Sequence, residues 1–297
     1  MRALLRPLWN NAYVLMTLTC LFWAGNSVVG RAARDLVPPV GLAFWRWVLA
    51  FLLLIGFAWP HVKRDRAALL AAWPWVLALG ILGVAAFNTL LYSGLQYTTA
   101  INALLMQSAQ PPLIMLMAFL LFREHTGPLQ IIGVLVSLIG VLVIVAGGDI
   151  DVLIHLRLNP GDAIILGAML LWVLYSVLLR FRPQVHPLSF LAVTFAIAWV
   201  FILPFYIAEL AAGRRIVPIA ASFATIAYVG LFPSLLAYAF FNRGVELLGP
   251  ARAGVFLNLM PVFGSLLAIL LLGERFTPAH AVGIGLIAVG LLLTRKA

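Results

Sequence analysis

Ten stretches of mostly apolar residues follow one another along the chain. They lie near 9–29, 41–59, 73–95, 99–122, 128–147, 160–180, 187–209, 219–242, 250–272 and 278–294. A helix rises 1.5 Å per residue, so each can cross about 30 Å of hydrocarbon. The breaks between them carry turn formers or charge: Pro38-Pro39, the run from His61 to Arg66, Arg123-Glu124, Gly147-Gly148, and Gly273 to Pro278. This pattern predicts an all-α membrane protein of ten transmembrane helices. The first stretch follows Met1, Arg2 and Arg6 as a signal peptide would. From Leu8 to Gly30 it is too long for one, and nine similar stretches come after it, so it reads as a retained helix.

Basic residues orient the helices. With the N-terminal tail and every second loop on one side, that side holds twelve: Arg2, Arg6, Lys63, Arg64, Arg66, Arg123, Arg180, Arg182, Arg243, Arg252, Arg295 and Lys296. The other side holds six, namely Arg31, Arg34, Arg157, Arg214, Arg215 and Arg275. Lysine and arginine accumulate on the cytoplasmic side, which predicts both termini there. Arg46 is the one charge inside an apolar run.

The second half of the chain repeats the first. Trp23, Ser27 and Arg31 recur as Trp172, Ser176 and Arg180, and Pro38 recurs as Pro187, at an offset of 149. Pro111, Glu124, Pro128, Gly133 and Gly140 recur as Pro261, Glu274, Pro278, Gly283 and Gly290, at an offset of 150. The reading is therefore a first repeat over 1–148, a linker over 149–159 and a second repeat over 160–297. Five helices per repeat is an odd number, so the second copy must enter the bilayer from the opposite side. Such inverted repeats build a site near the midplane and rock between two related states, a recurrent plan among secondary transporters.

Composition agrees: 64% of residues are hydrophobic and 9% charged, where a soluble domain carries about 25% charged. The lipid bilayer is the expected partner. The net charge of +10 then belongs to loop arginines and does not imply nucleic acid. A single cysteine, Cys20, excludes an intrachain disulfide.

Three motifs carry a family resemblance. Leu21-Phe22-Trp23-Ala24-Gly25-Asn26, the arginine within Phe44-Trp45-Arg46-Trp47, and the paired ends LLFREHTGPLQIIGVLVSLIGVLVI and LLLGERFTPAHAVGIGLIAVGLLLT are similar to the EamA-domain branch of the drug/metabolite transporter superfamily. The Glu-x-x-x-Pro followed by Gly-x6-Gly carries most of the specificity, and the likeness spans both halves. Within the superfamily the chain most resembles YddG-type amino-acid exporters. That resemblance implies a ten-helix exporter of the bacterial inner membrane with both termini inside. Arg123-Glu124 departs from the Gly273-Glu274 of the second copy, while the glutamate itself is kept.

None of the nine acidic residues lies near the middle of an expected helix, and the five histidines fall in or beside loops. A proton relay places a carboxylate at depth, so its absence favours a facilitator. No residue set has metal-ligand or catalytic spacing, so the expectation is a non-enzyme without metal or cofactor. Uncharged polar residues at depth are more numerous. Asn88 and Tyr92 lie one turn apart and have Tyr238 and Asn242 as repeat mates; Asn26 and Ser27 correspond to Tyr175 and Ser176, each pair preceded by tryptophan, Trp23 or Trp172. Gln107 and Ser108 correspond to Leu257 and Asn258. These residues either line a substrate cavity shared by the repeats or hydrogen-bond one helix to another. For the set, the cavity is the expectation.

Arg46 has two readings: a fixed charge near that cavity, or snorkelling to the interface between Trp45 and Trp47 as belt residues. Pro111 and Pro261 should kink their helices and are candidate hinges. The glycines seven apart, Gly133 with Gly140 and Gly283 with Gly290, permit close helix contact within a monomer or in a homodimer. Glu124 and Glu274 should cap the helix that follows each or join an ion pair. An aromatic, neutral-polar cavity suits a neutral or zwitterionic small molecule, and the resemblance implies amino acids, aromatic ones included, carried by alternating access. The alternatives are a multidrug or quaternary-amine exporter, through cation–π attraction, and a passive channel for small solutes.

Overall fold

The computed structural model describes residues 9–123, 127–149, 151, 159–248, 256, 257 and 259–295. Among them all regular structure is helical: α1 Ala12–Ala32, α2 Pro39–Ala71, α3 Trp73–Gly94, α4 Ala100–Gln107, α5 Gln110–Phe122, α6 Pro128–Ala146, α7 Pro160–Phe181, α8 Pro187–Ala211, α9 Ala220–Gly244, α10 Leu259–Leu272 and α11 Pro278–Arg295. Six of these are long and apolar enough to cross a membrane, and the bent pair α4–α5 makes a seventh. Three shorter apolar helices, within α6, α10 and α11, pack among them.

The charged run His61–Arg66 is not a break: α2 continues through it to Ala71. Its side chains are largely exposed or half-buried there, and the long ones are good helix formers that keep the helix intact past the apolar part. Pro111 and Pro261 sit in the first turns of α5 and α10, where a missing N–H costs nothing, rather than in helix interiors. The bend lies just ahead of Pro111, at 48° between α4 and α5.

Two ends of the bundle are tied by polar contacts to helix starts, where backbone N–H groups lack internal partners and anions are favoured. At one end the Glu209 carboxylate, at the close of α8, accepts from Val40 N at 3.2 Å and Gly41 N at 2.7 Å. Arg31 donates to the carbonyls of Leu95 and Gln96, and Glu274 accepts from Ala100 N at 2.9 Å and Ile101 N at 3.0 Å. Glu274 thus caps α4 and not the helix that follows it. That helix, α11, is capped by its own Thr277 and His280, which exchange hydrogen bonds through backbone and side chain. Glu124 lies outside the described residues.

At the opposite end Asp65, late in α2, accepts from His186 N at 2.8 Å and Ser189 Oγ at 2.7 Å. So α2 and α8 run antiparallel, and each closes the start of the other with a carboxylate. The His186 ring stacks on His61 at 3.8 Å, and its Nδ1 accepts the Leu188 N–H to cap α8. Burial, then the neighbouring His61 and Arg64 charges, push the His186 pKa below its ordinary value, against a smaller upward pull from Asp65. The folded protein therefore prefers neutral His186. Its contribution to stability is present above the unfolded histidine pKa and is lost as pH falls through the lowered folded value. Thermal stability should drop on acidification from neutral pH into that range. In His186→Ser, whose hydroxyl caps without titrating, melting curves should show a smaller drop.

The glycine pairs act within the chain. A Cβ on Gly140 would lie 2.6 Å from the Gly283 carbonyl oxygen, and one on Gly283 would lie 2.8 Å from that of Gly140. Gly290 meets Ser137 and the Gly133 carbonyl in the same way. Backbones of α6 and α11 are in contact, as small residues allow.

Candidate functional site

Two helices widen where they pass the centre of the bundle. In α3, residues Gly80–Ala86 form a π-helical segment; in α9, Leu231–Leu236 do the same and end 150 residues after the first. Such turns expose backbone carbonyls and frequently mark functional sites. Trp23 Nε1 donates to the Pro233 carbonyl within the second segment at 3.0 Å. In the first, Gly83 gives up its side-chain space to the Tyr175 ring.

Arg46 is 3% exposed and makes three hydrogen bonds to neutral oxygens. Its Nε donates to Ser234 Oγ at 2.7 Å, and its Nη1 donates to Asn26 Oδ1 at 2.8 Å and to the Tyr92 hydroxyl at 2.7 Å. The two hydroxyls pass their own protons on, Tyr92 to Asn26 Oδ1 at 2.6 Å and Ser234 to the Val229 carbonyl at 2.7 Å. Their lone pairs are thereby directed at the guanidinium. The Trp47 ring lies under it, 4.6 Å from the guanidinium carbon. Snorkelling is excluded: Trp47 is fully buried, and Trp45 alone faces outward, bonded to the Tyr206 hydroxyl at 3.1 Å.

Beside this network lies a small, partly open cavity. Of the residues singled out in the sequence, Trp23, Asn26, Ser27, Arg46, Asn88, Gln107, Trp172 and Tyr238 line it. Others do not. Tyr92 stands behind the wall as a partner of Arg46 and Asn26, and Tyr175 packs with Leu79 and Phe190. Ser108 turns its hydroxyl onto the Leu105 carbonyl, and Asn242 is not in the lining. Asn258 lies outside the described residues. Phe87, Leu91, Gln110, Leu257 and Met260 complete the wall. Sequence offers little to mark them, since an apolar residue facing a cavity looks like one facing lipid; Gln110, polar beside Pro111, was the one with a signal.

The chemistry of the wall is mixed. Aromatic rings pair around it: Trp23 with Tyr238 at 5.7 Å, Phe87 with Trp172 at 4.8 Å. Asn88 and Gln107 each donate their side-chain NH2 to the carbonyl four residues back, Val84 and Ala103. No carboxylate is among the described lining residues. The buried acids lie at helix ends instead. Asp162, in the first turn of α7, accepts from Thr98 and Asn102, and His280 Nε2 meets Asn102 Oδ1 at 2.8 Å.

A helical, multi-pass integral membrane protein with a polar and aromatic cavity among its helices has the architecture of a transporter. The chain belongs to the EamA-like transporter family, whose model matches residues 10–146 and again 159–296. It is a transporter and not an enzyme. It is 27% identical over 289 residues to "Uncharacterized transporter YyaM" of Bacillus subtilis (strain 168), covering 95% of this chain and 92% of that one. A "Probable terminal-alkyne amino-acid exporter" of Streptantibioticus cattleyicolor is 29% identical over 292 residues, covering 97% and 94%. A crystal structure at 20% identity has a TM-score of 0.64, covering 97% of this chain and 98% of the other, and shares the fold.

Proposed function

We propose that the protein is a secondary transporter that exports small zwitterionic metabolites, amino acids above all, by alternating access around the central cavity. The observation that carries this is the cavity itself, walled by Trp23, Asn26 and Asn88 from the first half and by Trp172 and Tyr238 from the second. The inverted repeat draws support from features recurring across the two halves, while ten helices and cytoplasmic termini follow from the apolar stretches and the twelve-to-six bias of basic residues. Both halves carry a π-helical segment at the same offset; α2 and α8 cap one another; and the contact of Gly140 with Gly283 is exchanged, by the same offset, for that of Gly290 with Gly133. A pseudo-two-fold axis in the membrane plane generates such reciprocal pairs. Membership of a YddG-like group in a plasma (inner) membrane follows the resemblance, and the amino-acid exporter among its relatives favours the same solute class. The absence of a carboxylate from the described wall favours a facilitator driven by the solute's own gradient. The fixed positive charge of Arg46 in that wall tells against an organic-cation exporter.

Counterflow in proteoliposomes tests the reading. With unlabelled phenylalanine inside and no ion gradient, labelled phenylalanine added outside should accumulate transiently. Trp172→Ala should reduce the initial rate by about tenfold or more, through lost stacking area in the cavity. Equilibration without overshoot would indicate a channel.

A further inference from the structure

We propose that Arg46 is the anion-binding residue of the central cavity, and that the carboxylate of the carried solute supplies the counter-charge it lacks. The inference rests on the transporter reading above and specifies what its site recognises. A guanidinium stays protonated in a protein, and burying it without an opposite charge is costly. Among the described residues no carboxylate lies within ion-pair distance of Arg46; its partners are an amide oxygen and two hydroxyls. Those three hold Nε and Nη1 and so fix the plane of the group. Nη2 bonds to no described residue, yet it is not among the side-chain nitrogens sealed away without a partner. Arg46 lines the cavity, so that nitrogen is the edge left for a ligand. Arginine is suited to this, because it keeps its charge when buried, and a hydrogen bond between ions is about twice as strong as one between neutral groups.

The rest of the wall defines the other end of the ligand. Asn88 and Gln107 direct their NH2 groups to their own helices, which leaves Asn88 Oδ1 and Gln107 Oε1 as acceptors. Neither oxygen is sealed off without a partner. Acceptors of this kind suit an ammonium group, and the rings of Trp23, Trp172 and Tyr238 suit an apolar side chain. A donor edge, two bare acceptors and an aromatic lining together match a zwitterionic α-amino acid. They do not match an amine alone, which would meet Arg46 as a like charge.

Three probes of one shape test this by equilibrium binding to the purified protein, read from tryptophan fluorescence: phenylalanine, 3-phenylpropionate, which lacks the ammonium, and phenethylamine, which lacks the carboxylate. Phenylalanine should bind at least about tenfold more tightly than phenethylamine, as a charge-assisted pair requires. 3-Phenylpropionate should also bind. In Arg46→Met the preference for the carboxylate should vanish. Arg46→Lys, which keeps the charge and loses the fixed plane of the guanidinium, should retain the preference at weaker Kd, and it serves if the methionine variant does not fold. Equal binding of phenethylamine and phenylalanine by the unaltered protein would overturn the proposal, as would no binding of either carboxylate at millimolar concentration. Arg46-dependent binding of phenylalanine without counterflow would keep this assignment and reject transport of that solute. Counterflow with no preference for the carboxylate would do the reverse.

Discussion

Gly140→Leu should prevent the protein from being recovered as a folded, monodisperse species. The Cβ alone would stand 2.6 Å from the Gly283 carbonyl oxygen and 2.8 Å from Ile287 Cγ1, so backbone, not a flexible side-chain tip, would have to yield. Overpacking a well-filled core costs about 1–3 kcal/mol per substitution, and more where backbone must move. Here the damage extends along the contact of α6 with α11, because Gly290 and Gly133 approach as closely one turn-pair away. Gly140→Ala should already lower the melting temperature. Gly285→Ala supplies the control on α11: no atom lies within 4 Å of its Cβ position, and alanine is the better helix former by about 1 kcal/mol. That variant should melt at the original temperature or above. Equal loss in Gly140→Ala and Gly285→Ala would mean that the glycine contact is not what holds these helices.

Asn26→Leu should be the most costly single change around Arg46 short of removing the arginine. The replacement keeps the branched outline of the side chain, adds some bulk, and deletes the amide oxygen together with the amide nitrogen. That oxygen accepts from both Arg46 Nη1 and the Tyr92 hydroxyl, so two buried donors lose their acceptor together. Leaving one N–H of a charged group and one hydroxyl unsatisfied costs about 2–4 kcal/mol. Reversible unfolding in mixed micelles measures it. Tyr92→Phe alone should cost less, because Arg46 Nη1 keeps Asn26. The double variant should fall short of the sum, since Asn26→Leu no longer strands a hydroxyl once Tyr92 is phenylalanine. Coupling of about 0.5–3 kcal/mol is usual for residues that share a partner; additivity would show that the three side chains do not act as one network.

Much of this was legible in the sequence because lipid imposes a simple rule: long apolar helices, with polar groups only where something uses them. The lengths of α1, α3, α7 and α8 and the close glycine contact follow from spacing alone. So does the group of polar and aromatic residues at depth, from Trp23 to Tyr238. What spacing could not tell was which way each polar residue serves. Tyr92 and Tyr175 had the same credentials as Tyr238; one holds the arginine, and the other fills the space left at Gly83. The run His61–Arg66 looked like a loop because its charge stops the membrane-buried stretch, but charge does not stop a helix. The position of Glu274 suits capping the helix that follows or joining an ion pair, yet Thr277 with His280 closes that helix. Long-range choices of this kind depend on which helix ends meet, and a single chain does not print that.

The π-helical segments were the least visible of all, since Gly80–Ala86 and Leu231–Leu236 share no motif. Each holds one residue more than α geometry would need for the same path. Removing a residue from Gly80–Ala86 would let the helix close to α geometry with Asn88 and Tyr92 aimed as before, because the wide turn itself takes up the surplus. The same deletion in the α-helical stretch Phe87–Gly94 has no wide turn to absorb it, and would swing everything after it through about 100°, one residue's share of a 3.6-residue turn. The two wide turns are thus the places where these helices could lose a residue and keep their aim, giving up only local width such as the space that Gly83 yields to the Tyr175 ring.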